Sequence, residues 1–111
     1  MMFFRRSEFA CKCGCGFDTV DYELARIADS IREYFDKPVI VNSGCRCVPW
    51  NIYQGGALKS QHLLGRAMDI RINGIAPQLI AEAAAQFGAR GIKAYDSFCH
   101  VDTRSGDQWS E

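Results

Sequence analysis

The chain contains only two histidines, and both lie in short polar-plus-glycine contexts where a metal ligand is expected. His62 lies seven residues before Asp69 in the run from Ser60 through Gly65 and Ala67 to Asp69. His100 follows in Ser97-Phe98-Cys99-His100-Val101-Asp102-Thr103-Arg104. Two imidazoles and one carboxylate offer three ligands of the kind zinc takes, leaving a fourth position for water. That is the pattern of a catalytic rather than a structural zinc site, and its chemistry is hydrolysis. Taken singly, each residue has a plainer reading. A lone histidine is more often a hydrogen-bonded polar side chain than a ligand. Asp69 alone would pass for a paired surface carboxylate, and Asp102 for a turn cap. The spacing and the flanking residues must therefore carry the case.

The elements that would position these residues can be read from periodicity. Val20, Leu24, Ile27, Ala28, Ile31, Tyr34 and Phe35 recur at three- and four-residue steps, which predicts a helix with one apolar stripe. Asp18 or Thr19 is the expected N-cap, Asp21 and Glu23 fall in the first turn, and Lys37-Pro38 stops the helix. Val39-Ile40-Val41 reads as a short buried strand. From Asn42 to Gly65 there is little periodicity, and so long a loop in a small domain is expected only where it serves function. Residues 67–72 alternate, with Met68, Ile70 and Ile72 on one face and Ala67, Asp69 and Arg71 on the other. Asn73-Gly74 marks a turn, and Pro77 to Phe87 predicts a second helix ended by Gly88. Ile92 to Tyr95 and Phe98 to Thr103 are two further strands. On the last of these, Phe98, His100 and Asp102 share a face. If it neighbours the strand of Asp69, the two residues meet, and Gly65 lets the chain bend so that His62 reaches the same point. The order of elements predicts an α+β fold with a small, largely antiparallel central sheet and two main helices.

Composition narrows the partners. The chain has 111 residues, enough for a single domain, and 13 basic residues balance 13 acidic ones. That balance points to no nucleic-acid or membrane-surface partner, and a monomer is expected. Met1 to Phe9 has too short an apolar stretch for a secretory leader, and no apolar run approaches a membrane span, so synthesis in the cytoplasm is expected. Six cysteines are many for this length. Five fall in two groups, Cys11-Lys12-Cys13-Gly14-Cys15 and Cys45-Arg46-Cys47, and Cys99 stands alone. The Cys-x-Cys spacing leaves three readings open for Cys11, Cys13, Cys15, Cys45 and Cys47: a structural metal, a disulfide between the groups, or reduced thiols.

The motif Ser60-x-His62-x-x-Gly65-x-Ala67-x-Asp69, followed by His100 on a later strand, closely resembles the zinc D-Ala-D-Ala carboxypeptidases. Their superfamily also holds lysostaphin-type endopeptidases, the vancomycin-resistance D-Ala-D-Ala dipeptidases and the Hedgehog signalling domain. The resemblance extends over nearly the whole chain, through Pro38-Val-Ile-Val41, Ser43-Gly44-Cys45-Arg46-Cys47, Gly55-Gly56-Ala57 and the closing Phe98 to Arg104. It implies a Hedgehog/D-Ala-D-Ala peptidase-like fold over residues 1–111 and one catalytic Zn2+ on His62, Asp69 and His100. It also implies that Arg46 steadies substrate or oxyanion and that Ser60 hydrogen-bonds near the site. The implied reaction is cleavage of amide bonds in peptidoglycan stem peptides next to D-alanine. The compact form looks most like phage and prophage members, some of them endolysins, which implies release to the wall by a phage-type route. Two departures stand out. Relatives carry the general base two or three residues before the last histidine, where this chain has Phe98 and Ser97. The nearest acids are Asp96, taken as the base, and Asp102, taken as a residue that orients a ligand. Cys45 replaces a common aromatic, and Trp50-Asn51 stands where His-Asn is common. The weakened base position also admits a zinc-stabilised binding domain that has lost catalysis.

Overall fold

The structure, a computed structural model, describes residues 2–57, 60–105 and the backbone of 109–110. It is an α+β fold with its two longer helices packed on one face of a five-stranded sheet of order β1-β2-β4-β3-β5. The strands are β1 (Ile40–Ser43), β2 (Ala67–Arg71), β3 (Gly91–Ala94), β4 (Cys99–Asp102) and β5 (Trp109–Ser110). The first four pair antiparallel, and β5 joins β3 in parallel. The helices are α1 (Tyr22–Phe35), α2 (Val48–Tyr53) and α3 (Pro77–Gln86).

The alternation read from β2 and β4 sorts core from site. Met68 and Ile70 of β2, with Cys99 and Val101 of β4, are buried against Leu24, Ile27, Ala28 and Ile31 of α1 and Ile80 and Ala84 of α3. Since side chains alternate across a strand, Asp69 and His100 project from the opposite face. In the β2–β4 ladder Asp69 stands directly across from His100. Directly opposed Cβ atoms lie only about 5 Å apart, so the register alone brings the carboxylate to the imidazole.

Several expectations are corrected. The cap of α1 is Asp21, whose carboxylate accepts the Leu24 N–H, rather than Asp18 or Thr19. Asp21 is held there by the Gly65 carbonyl, which accepts its N–H, and by the Thr103 hydroxyl, so tertiary contacts choose among adjacent capping residues. Tyr34, counted in the apolar stripe, is exposed. The segment from Asn42 to Gly65 is not one irregular loop: it contains α2 and a 3-10 turn over Gln61–Leu64, each too short for its periodicity to show. The pairing of β5 leaves no signal in the sequence, because two residues carry no alternation.

Candidate metal centre

Three elements deliver the site. Asp69 comes from the middle of β2 and His100 from β4. His62 comes from the 3-10 turn, which Ser60 caps by accepting the His62 N–H at 3.1 Å. Gly65 closes that turn at φ +69°, and a Cβ there would run into the Thr19 backbone, so the reversal requires glycine. His62 and Asp69 are buried and His100 is nearly so.

The ring nitrogens are arranged in pairs. Nδ1 of His62 faces the Gly44 carbonyl at 2.6 Å, and a carbonyl can only accept, so this nitrogen carries the proton. Nε2 of His62 is then a bare lone pair, 3.3 Å from Asp69 Oδ1. Nε2 of His100 faces Asp102 Oδ2 at 2.8 Å, and its Nδ1 lies 3.0 Å from the same Asp69 oxygen. His62 Nε2, Asp69 Oδ1 and His100 Nδ1 thus converge within 4.8 Å of one another. Three such acceptors repel unless a cation lies among them, either a proton or a metal ion. Ligands about 2.05 Å from a tetrahedral zinc stand about 3.3 Å apart, close to the separations seen here. The donor set therefore fits zinc.

The electrostatics point the same way. Burial opposes ionisation of Asp69, but its contacts with the His100 and His62 imidazoles outweigh it and hold the carboxyl well below the usual range. Burial would likewise lower His100, but its bonds to Asp102 and Asp69 push it up to about 9. In the metal-free chain a proton on His100 is the counter-charge between two carboxylates. Asp102, fully buried, is also held low against the cost of burial by His100 and Arg104. Arg104 donates to both its oxygens, from Nε at 2.9 and 3.1 Å and from Nη2 at 2.6 Å. A carboxylate on the far nitrogen of a ligating imidazole fixes its tautomer and raises its basicity.

Arg46 spreads its guanidinium over three partners: Nε on Ser43 Oγ at 3.1 Å, Nη1 on Asn51 Oδ1 at 3.3 Å and Nη2 on Asp69 Oδ2 at 3.2 Å. The fork is thereby fixed at the edge of the group, as a planar guanidinium allows and an ammonium does not. An open cleft of about 440 Å³ runs past these residues, lined among others by Arg46, Ser60, Gln61, His62, Asp69 and His100. Tyr95 and Phe98, stacked with centroids 4.5 Å apart, form part of its wall. Gln61 Oε1 is buried and makes no hydrogen bond among the described residues.

The structure thus gathers His62, Asp69, His100, Arg46, Ser60 and Asp102. It does not gather Asp96, which is exposed on the β3–β4 turn and is not among the residues lining the cleft, although Tyr95 and Phe98 on either side of it are. A four-residue offset from His100 puts Asp96 in the turn between β3, which ends at Ala94, and β4, which begins at Cys99. Two contributors escaped the sequence. The Gly44 carbonyl is a backbone group with no residue signature. Asn51, buried on α2, ties Arg46 to the Ala57 carbonyl, which accepts from its Nδ2 at 2.9 Å. A buried Asn beside Gly55-Gly56 was the available hint, since a Cβ on Gly56 would strike the Asn51 carboxamide.

The family model described as Peptidase M15 matches residues 2–102. The chain belongs to the M15 peptidase family. It is 39% identical over 80 residues to the peptidoglycan L,D-endopeptidase MepK of Escherichia coli (strain K12), an alignment covering 66% of this chain and 44% of that protein. It is 34% identical over 80 residues to the zinc D-Ala-D-Ala carboxypeptidase of Streptomyces albus G, covering 68% of this chain and 31% of that protein. The chain thus spans less than half the length of these curated relatives.

Proposed function

We propose that this chain is a zinc-dependent peptidase that hydrolyses amide bonds in peptidoglycan stem peptides. The observation that carries the reading is the convergence of His62 Nε2, Asp69 Oδ1 and His100 Nδ1, each ring being held from behind by an acceptor. Membership of the M15 family and the names of the relatives support the substrate class. Bound there, zinc would supply a Lewis acid and bring the pKa of a coordinated water to about 7.

The residues of the chain do the rest. The Gly44 carbonyl and Asp102 orient the two rings. Arg46 places fixed positive charge where the carbonyl oxygen of the scissile amide becomes negative. Asp96, on the exposed turn whose Tyr95 and Phe98 line the cleft, is the base we assign: with that turn folded over the centre it takes the proton of the attacking water and returns it to the leaving amine. The scissile bond we favour lies next to D-alanine, in a role of the endolysin or wall-carboxypeptidase type. A second reading, a zinc-stabilised binding domain without catalysis, is favoured by one observation: among the described residues lining the cleft, Asp69 is the only carboxylate.

Zinc analysis of the wild type, His62→Ala and His100→Ala tests the centre. Each substitution should remove one equivalent of zinc. Undiminished zinc in both would refute it.

A further inference from the structure

Outside this centre the fold gathers a second set of ligands. We infer that Cys11, Cys13, Cys15 and Cys47 form a tetrathiolate site for a structural zinc ion that clamps the N-terminal segment to the loop carrying Arg46. The inference does not depend on what the histidine centre cleaves.

The geometry carries it. The four sulfurs lie within 4.8 Å of one another. Cys11 Sγ is 3.4 Å from Cys13 Sγ and 3.8 Å from Cys47 Sγ, and Cys13 Sγ is 3.6 Å from Cys47 Sγ. Four sulfurs about 2.3 Å from one zinc stand about 3.8 Å apart along the edges of the tetrahedron. A disulfide would single out one pair at about 2.05 Å, whereas Cys13 is nearly equidistant from two partners.

The backbone is bent to suit. Gly14 and Gly16 adopt φ +85° and +92°, the left-handed region that suits glycine. The Cys11 N–H donates to the Phe17 carbonyl at 2.7 Å and the Gly14 N–H to the Cys11 carbonyl at 3.2 Å. This tight reversal turns three thiols toward one point. The Cys47 N–H approaches Cys11 Sγ at 3.5 Å, a donor on the sulfur of the kind that steadies a thiolate. Cys45, grouped with these residues by sequence, belongs elsewhere: it is buried and its thiol donates to the Phe17 carbonyl at 3.1 Å.

The position gives the ion its role. Cys47 adjoins Arg46, and the Gly44 carbonyl on the same loop holds the His62 ring. The Arg46 N–H donates to the His62 carbonyl at 2.9 Å, and the Cys45 N–H to the Phe9 carbonyl at 2.9 Å. A Cβ on Gly44 would strike the Phe9 backbone, so loop and N-terminal segment are in direct contact. Pinning Cys47 to the segment of Cys11 to Cys15 therefore restrains both the arginine and a histidine of the first centre.

The test uses protein purified without oxygen. The double variant His62→Ala/His100→Ala, which lacks the first centre, should retain one equivalent of zinc, and its cobalt form should show thiolate-to-metal charge-transfer absorption. Adding Cys13→Ser and Cys47→Ser should abolish both. In the wild type, the thiols of these four cysteines should resist alkylation until a chelator is added, a measurement that requires no variant to fold. A double histidine variant without metal, a cobalt spectrum without thiolate bands, or mass spectrometry showing a disulfide among the four would each overturn the site.

Discussion

Asp102 has no exposure, yet it carries a charge, and Asp102→Asn asks what that charge does. The substitution keeps the shape and removes one acceptor oxygen. Four donors now converge on that carboxylate: His100 Nε2 at 2.8 Å, the Arg104 backbone N–H at 3.1 Å, and Nε and Nη2 of Arg104. An amide has a single acceptor oxygen, so its NH2 must face either His100 or the guanidinium, both of which donate. The His100 ring then loses either its orientation or its electron-donating partner. Loss of such a partner behind a metal ligand costs roughly 10- to 100-fold in metal affinity, or about 1.4 to 2.7 kcal/mol. Competition for zinc against a chromophoric chelator measures this directly, and peptide hydrolysis should recover toward wild type at saturating zinc. Wild-type zinc affinity combined with abolished hydrolysis would refute the reasoning and make Asp102 a participant in proton transfer.

Arg46→Lys keeps the charge but cannot reach Ser43, Asn51 and Asp69 together, so kcat should fall on the order of 100-fold, about 3 kcal/mol, with zinc content unchanged; full turnover would remove Arg46 from the mechanism. Asp96→Asn should abolish hydrolysis while zinc stays bound, and an active variant would move the base to another group. In the metal-free chain the raised pKa of His100 sets a pH window. Its folded value of about 9 exceeds the ordinary imidazole value of about 6.5, so its contribution to stability is complete below about pH 6.5 and is lost as pH rises through 9. The thermal midpoint of the metal-free protein should fall across that interval, and His100→Gln should flatten the dependence; an unchanged slope would contradict the two-carboxylate cage.

What could be read from the chain alone follows what each signal needs. The alternation of β2 and β4 separates Met68, Ile70, Cys99 and Val101 from Asp69 and His100, because a strand has only two faces. The helical stripe of α1 emerged for the same reason, its period being repeated over 14 residues. The placement of Asp102 behind His100 follows from their shared face, two residues apart. Where the period is too short to repeat, as in α2 and the 3-10 turn around His62, position comes from contacts that only the folded chain has. Gly44 and Asn51 act through a carbonyl and a carboxamide aimed by those contacts. The cysteines show both limits together. Cys-x-Cys spacing suggested a cluster, but the exclusion of Cys45 and the inclusion of Cys47 depend on which face of the loop meets Phe17 and Cys11.

The most direct test is digestion of purified peptidoglycan, with the products identified by mass spectrometry. Zinc-loaded protein should release fragments cut within the stem peptide. Chelation should abolish their release, zinc should restore it, and His62→Ala should produce none. A fully zinc-loaded, folded wild-type protein that leaves every stem-peptide bond intact would contradict the peptidase reading and leave the binding domain in its place.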